Sequence, residues 1–109
     1  MPNEIFVHYI EYDPFPNNEQ KFAVSVSCRK PHTMRVVCNG SVVKTATVCS
    51  GKSEEVVEFS VPVATVNNIC KFEFISDGKT VLTRTVRYKG NLNLYELSVN
   101  ERPTATIAN

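Results

Sequence analysis

Tryptophan is absent from this chain of 109 residues, and glycine occurs only four times. The first absence removes the largest flat apolar face a protein can offer for stacking. The second leaves no glycine-rich loop to cradle phosphate groups. No apolar run is long enough for a membrane-spanning helix. Excess charge of one sign is also missing: twelve basic and eleven acidic residues give a formal net charge of +1, so no bulk field draws the chain to nucleic acid or to an anionic membrane. Met1-Pro2-Asn3-Glu4 lacks the basic-then-apolar pattern of a secretory signal, and the start reads as that of a cytoplasmic protein. A chain excised from a longer one would leave that compartment open.

What is present suits one small domain with one core. Hydrophobic residues make up 42% and charged residues 21% of the chain, an ordinary globular balance. Its four cysteines, Cys28, Cys38, Cys49 and Cys70, stand singly in apolar segments, without the paired spacing of a zinc site. They read as buried thiols acting as small hydrophobes in a cytoplasmic protein. For a secreted one the alternative is an immunoglobulin-type bridge between Cys28 and Cys70.

Almost every ordered stretch alternates with period two and is rich in Val, Phe, Thr and Ile, the pattern of half-buried strands. Strands are expected at Ile5 to Tyr12, Lys21 to Arg29, Thr33 to Cys38, Ser41 to Val48, Glu54 to Val63, Ile69 to Ile75 and Thr80 to Tyr88, with a short last one at Leu92 to Val99. Asn39-Gly40 and Asp77-Gly78 are the pairs that most readily accept the positive φ angles of two-residue hairpin turns. Asn100 to Asn109, with Pro103 and few large apolar residues, reads as a tail or linker. Seven to eight short strands and no helix predict an all-β, immunoglobulin-like antiparallel sandwich over residues 1–99.

Little in the sequence carries chemistry. His8 and His32, the two histidines, sit in no metal or nucleophile motif and read as loop or surface residues. Asp13 and Asp77 are turn residues. Glu54, Glu55 and Glu58 form a carboxylate group that a solvated strand edge explains equally well. Arg84, Arg87 and Lys89, with Tyr88 between them, make a poor nucleic-acid patch, because alternation puts the two arginines on opposite faces. Asn39-Gly40-Ser41 matches the glycosylation sequon, which matters only in the secretory pathway, and the turn accounts for the same residues. No cofactor, metal or enzymatic activity is expected.

Three segments in order carry a resemblance: Glu55 to Val63, with its proline near the end; Cys70-Lys71-Phe72-Glu73-Phe74-Ile75-Ser76-Asp77-Gly78-Lys79; and Tyr88-Lys89-Gly90-Asn91-Leu92-Asn93-Leu94. Together they resemble the second half of the family 48 carbohydrate-binding (glycogen-binding) module found in the AMP-activated kinase β subunit, isoamylases and starch-branching enzymes. Met34 to Ser41 resembles that family's earlier apolar strand ending in Gly-Ser. The resemblance covers about residues 20–99 and implies an early-set sandwich with an α-glucan ligand. The family's stacking tryptophans fall near Thr45 and at Thr80, and its sugar-binding lysine falls on Glu73, an acceptor-only carboxylate. Asn93 stands unchanged, with Asn91 beside it.

The chain therefore reads as a degenerate module with its sugar site emptied, serving protein–protein interaction or scaffolding through an edge strand on which Leu82 and Tyr88 meet a partner. An alternative keeps the glucan through a displaced stacking surface of Tyr88 and Tyr95 flanking Asn91 and Asn93. Another is an extracellular immunoglobulin-like adhesion domain with Cys28 bridged to Cys70. The candidate ligand-binding residues are thus Glu73, Thr80, Tyr88, Asn91, Asn93 and Tyr95.

Overall fold

A computed structural model describes residues 4–13, 19–63, 67–89 and 106–108. Among these every regular element is a strand: β1 (Ile5–Tyr12), β2 (Glu19–Cys28), β3 (His32–Cys38), β4 (Ser41–Val48), β5 (Glu54–Pro62), β6 (Asn67–Ser76), β7 (Lys79–Lys89) and β8 (Thr106–Ala108). They form two antiparallel four-stranded sheets, ordered β5-β2-β1-β8 and β4-β3-β6-β7. The expected strand at Leu92 to Val99 lies outside the described residues. Residues 106–108, expected in a tail, instead pair with β1, where Tyr9 stands opposite Ala108.

Period-two alternation builds the core. Phe22, Val24, Val26 and Cys28 of β2 and Cys70, Phe72 and Phe74 of β6 are buried, while their alternate neighbours face outward, as a pleated strand requires. Phe22 is the hub: its ring lies 5.2 Å from Phe72, 5.6 Å from Phe59 and 5.8 Å from Tyr88, centroid to centroid. Burying each such ring contributes roughly 1.5–3 kcal/mol, and the edge-to-face contacts add to it.

Both expected hairpins form, and each turn residue has positive φ: Asn39 +52° and Gly40 +86°, Asp77 +53° and Gly78 +77°. Cys38 then stands opposite Ser41 and Ser76 opposite Lys79, the register of two-residue loops. Bulges interrupt three ladders, between Val7 and Tyr9, between Val36 and Val37, and between Phe74 and Ile75.

The cysteines pair as Cys28–Cys49 and Cys38–Cys70, with Cα separations of 5.9 and 4.2 Å. None is a free thiol, which corrects the expectation of buried thiols, and the alternative Cys28–Cys70 bridge does not form either. Both side chains do point inward, but at opposite ends of the sandwich. Cys70 stands beside Cys38 at the far end of β3, whereas Cys28 closes β2 just before the loop that leads into β3. Seven residues of strand separate those levels by about 20 Å. Cys28–Cys49 ties the two sheets together, and Cys38–Cys70 ties two neighbouring strands of one sheet.

Candidate binding surfaces

On the outer face of the second sheet, cross-strand partners form rows. Thr47, Thr33, Ile75 and Thr80 make one, and Thr45, Arg35, Glu73 and Thr83 the next. At the centre Arg35 Nε donates to Glu73 Oε1 at 2.8 Å. Glu73 is therefore engaged by an arginine directly opposite it, and the surroundings are threonines. Thr80 is exposed one row away. Thr45 and Thr80, where the resembled family stacks sugar, are both exposed and lie on the flanking strands β4 and β7, without an aromatic platform.

Tyr88 lies on the other side of the sheet. It is only 7% exposed, its ring is 6.3 Å from Tyr12, and its hydroxyl sits 3.6 Å from Cys70 Sγ. Burial raises the pKa of Tyr88 and of Tyr12 above the ordinary tyrosine range. The expectation that Tyr88 faces a ligand is thereby corrected, and Leu82 too packs partly against the core. The cause is the bulge in β7. Thr80 pairs with outward Ile75 and Leu82 with inward Phe74, so Val81 is an extra residue that reverses the alternation. Glu73 and Thr80 thus share a face that Tyr88 does not. Asn91, Asn93 and Tyr95 lie outside the described residues.

On the outer face of the first sheet, Phe6 and His8 of β1 meet ring to ring at 5.1 Å. His8 Nε2 is 2.5 Å from Ser27 Oγ, and that hydroxyl donates to Glu54 Oε1 at 3.4 Å. The grouping looks like a nucleophile with its base, but its carboxylate is misplaced: Glu54 contacts the serine, whereas in a hydrolytic triad the carboxylate orients the histidine. His8 is a surface residue, as expected; His32, expected on a loop or the surface, is buried at the start of β3 with Nδ1 donating to the Lys30 carbonyl at 2.8 Å.

Several polar links were hidden from sequence reasoning. Lys30 bridges Glu4 at 3.2 Å and Asp77 at 3.1 Å. The hydrogen bond to Asp77, then that to Glu4, raises its pKa. The Asp77 turn is thus fastened to the β2–β3 loop. Asn39 Nδ2 donates to the Oδ1 of buried Asn68 at 2.8 Å, and Asn39 Oδ1 accepts from the Ile69 backbone at 2.9 Å. That occupies both ends of the amide in the sequon.

A hollow open to solvent lies over Tyr12, Phe22 and Phe59, with Glu11, Lys21 and Glu58 around it. No group of three or more His, Cys, Asp or Glu side chains among the described residues could hold a metal ion. Of the large exposed apolar side chains among the described residues, four lie on strands that end the sheet orders, Val42 (59% exposed) and Val43 on β4, Val56 (52%) on β5 and Val81 (52%) on β7, and two, Phe6 and Ile69, lie on the inner strands β1 and β6.

No family model matches the sequence, and no curated protein does. Among solved structures the chain is similar to the CARDB domain of the PF1109 protein from Pyrococcus furiosus, solved in complex with di-metal ions. The TM-score is 0.60 at 19% identity, over 83% of this chain and 97% of that one. The likeness shows an immunoglobulin-like β-sandwich.

Proposed function

We propose that this domain is a non-catalytic protein-interaction module that docks partners along its sheet edges. The observation that carries the reading is the placement of exposed apolar side chains. Single exposed valines are unremarkable, but here four stand on β4, β5 and β7, each a strand with one side unpaired among the described residues. Natural sandwiches blunt such edges against chance pairing, and a strand that keeps valine at its edge is suited to receive another strand. Chemistry has less support, because beside the Ser27–His8 contact the carboxylate of Glu54 meets the serine, where a triad needs it on the histidine. Glucan binding has less support too, since Glu73 is engaged by Arg35 and Tyr88 is in the core.

The same reading places the domain in an oxidising compartment, because both cysteine pairs are bridged and such bridges persist outside reducing cytoplasm. The expectation of a cytoplasmic protein rested on the start of the sequence, and free thiols were expected as its consequence. The di-metal complex of the Pyrococcus furiosus domain is not carried over, since the described residues offer no ligand cluster.

Affinity capture from the native source with the wild-type domain and with Val56→Lys tests the reading. Val56 is exposed, so the variant keeps the fold. The expected result is a protein retained by the wild type and lost with the variant. Identical retention by both, or none by either, overturns the proposal.

A further inference from the structure

The charges on two of the edges are opposite. β5 carries Glu54, Glu55 and Glu58 and no basic residue, whereas β7 carries Lys79, Arg84, Arg87 and Lys89 and no acidic one. The two strands lie at opposite flanks. β5 ends the first sheet on the side where it meets β4, and β7 ends the second sheet on the other side.

The hydrogen-bond alternation decides which residues each edge offers. The Cys28 amide donates to the Ser53 carbonyl at 2.9 Å, and the β2–β5 register runs without interruption from there. Antiparallel residues alternate between bonding a neighbour and turning their backbone away from it. Residues 53, 55 and 57 therefore bond β2, and Glu54, Val56 and Glu58 present their backbone groups at the open side. On the other flank the Asn39 amide donates to the Ile69 carbonyl at 2.9 Å, so Ile69, Lys71 and Glu73 bond β3. Cys70 and Phe72 then bond Val86 and Arg84. This leaves Thr83, Thr85 and Arg87 turned outward at the edge of β7.

We propose that the partner is a second copy of this chain, whose β7 adds antiparallel to β5, with Arg87 opposite Val56 and Thr85 opposite Glu58. The proposal rests on the edge-docking reading above. In this register every pairing residue has its backbone outward and its side chain on an outer face. Arg87 sits diagonally between Glu54 and Glu58, within reach of both, and its methylenes cover exposed Val56. The second sheet of one copy continues into the first sheet of the next. Self-pairing of β5 about Val56 sets Glu54 against Glu58, and self-pairing of β7 offers Arg87 no carboxylate. The contact is therefore heterologous, and repetition gives an open, head-to-tail chain of domains.

Sedimentation of the full chain over a range of concentrations tests this with three proteins: wild type, Glu54→Lys/Glu58→Lys, and Arg87→Glu. Wild type is expected to form oligomers that grow past the dimer and weaken in about 0.5 M salt. Each variant alone associates about tenfold more weakly or worse, since attraction becomes repulsion. Mixing the two variants restores association, because each altered edge then meets its complement. A wild type that stays monomeric, a dimer that grows no further, or a mixture no better than its components overturns the inference. A monomer that still captures a different protein in a Val56-dependent way leaves the broader edge-docking reading in place.

Discussion

At the scale of single residues, Asn39 is a polar side chain held at three points. It accepts positive φ at the turn, donates to buried Asn68 and accepts from the Ile69 amide. Alanine there loses two hydrogen bonds, takes a donor from a buried oxygen and keeps an unfavourable backbone angle. The expected loss is about 2–3 kcal/mol of stability, read from the midpoint of urea unfolding, while Thr80→Ala stays within about 0.5 kcal/mol. Equal effects of the two substitutions would show that the Asn39 links contribute nothing. The contrast separates two residues that the sequence makes look alike, each a small polar residue beside a hairpin. Only one of them joins two strands.

At the scale of elements, alternation and turn chemistry made the strands legible. The ends of β1 and β4 fall where the sequence reading places them, β2, β3, β5, β6 and β7 differ from it by a residue or two, and β8 lies where a tail was expected. Both two-residue turns are where Asn-Gly and Asp-Gly put them. Gly78 gives a clean test of that chemistry, because a Cβ added to it meets nothing within 4 Å. Gly78→Ala therefore isolates the conformational term at φ +77°: a lowered denaturation midpoint at unchanged slope, equivalent to about 1–2 kcal/mol. A midpoint at or above that of the wild type would show that the turn is not of this type in solution. What alternation conceals is any break in its own count. One extra residue at Val81 sends Thr80 and Tyr88 to opposite sides of the sheet, so Tyr88 turns into the core and leaves the face that Glu73 and Thr80 share. Parity also says which face a cysteine occupies but not its height along the strand, which is why Cys28 and Cys70 look like partners and are not. Asn68, Lys30 and the outward-turned backbone of β5 and β7 are settled only by register, which no single strand contains.

At the scale of the whole molecule, the two bridges sit at opposite ends and do different work. Cys28–Cys49 spans 21 residues and joins the sheets; Cys38–Cys70 spans 32 residues and staples β3 to β6. Closing loops of these lengths removes unfolded-state entropy equivalent to about 3 kcal/mol each. A domain of this size has roughly 5–15 kcal/mol of stability in all, so losing both bridges takes much or most of it. Alkylation under denaturing, non-reducing conditions should leave all four cysteines unmodified, and four modified cysteines would disprove the pairing. Cys49→Ala and Cys70→Ala, each made with its partner also changed to alanine, should each lower stability by about 3 kcal/mol in guanidinium unfolding. The sheet-joining pair should do more. Without Cys28–Cys49 the two sheets are held at that end by packing alone, and hydrogen exchange there should speed up before the rest of the sandwich opens. Uniform exchange in that variant would mean that the core, centred on Phe22, holds the sheets together without help from the bridge.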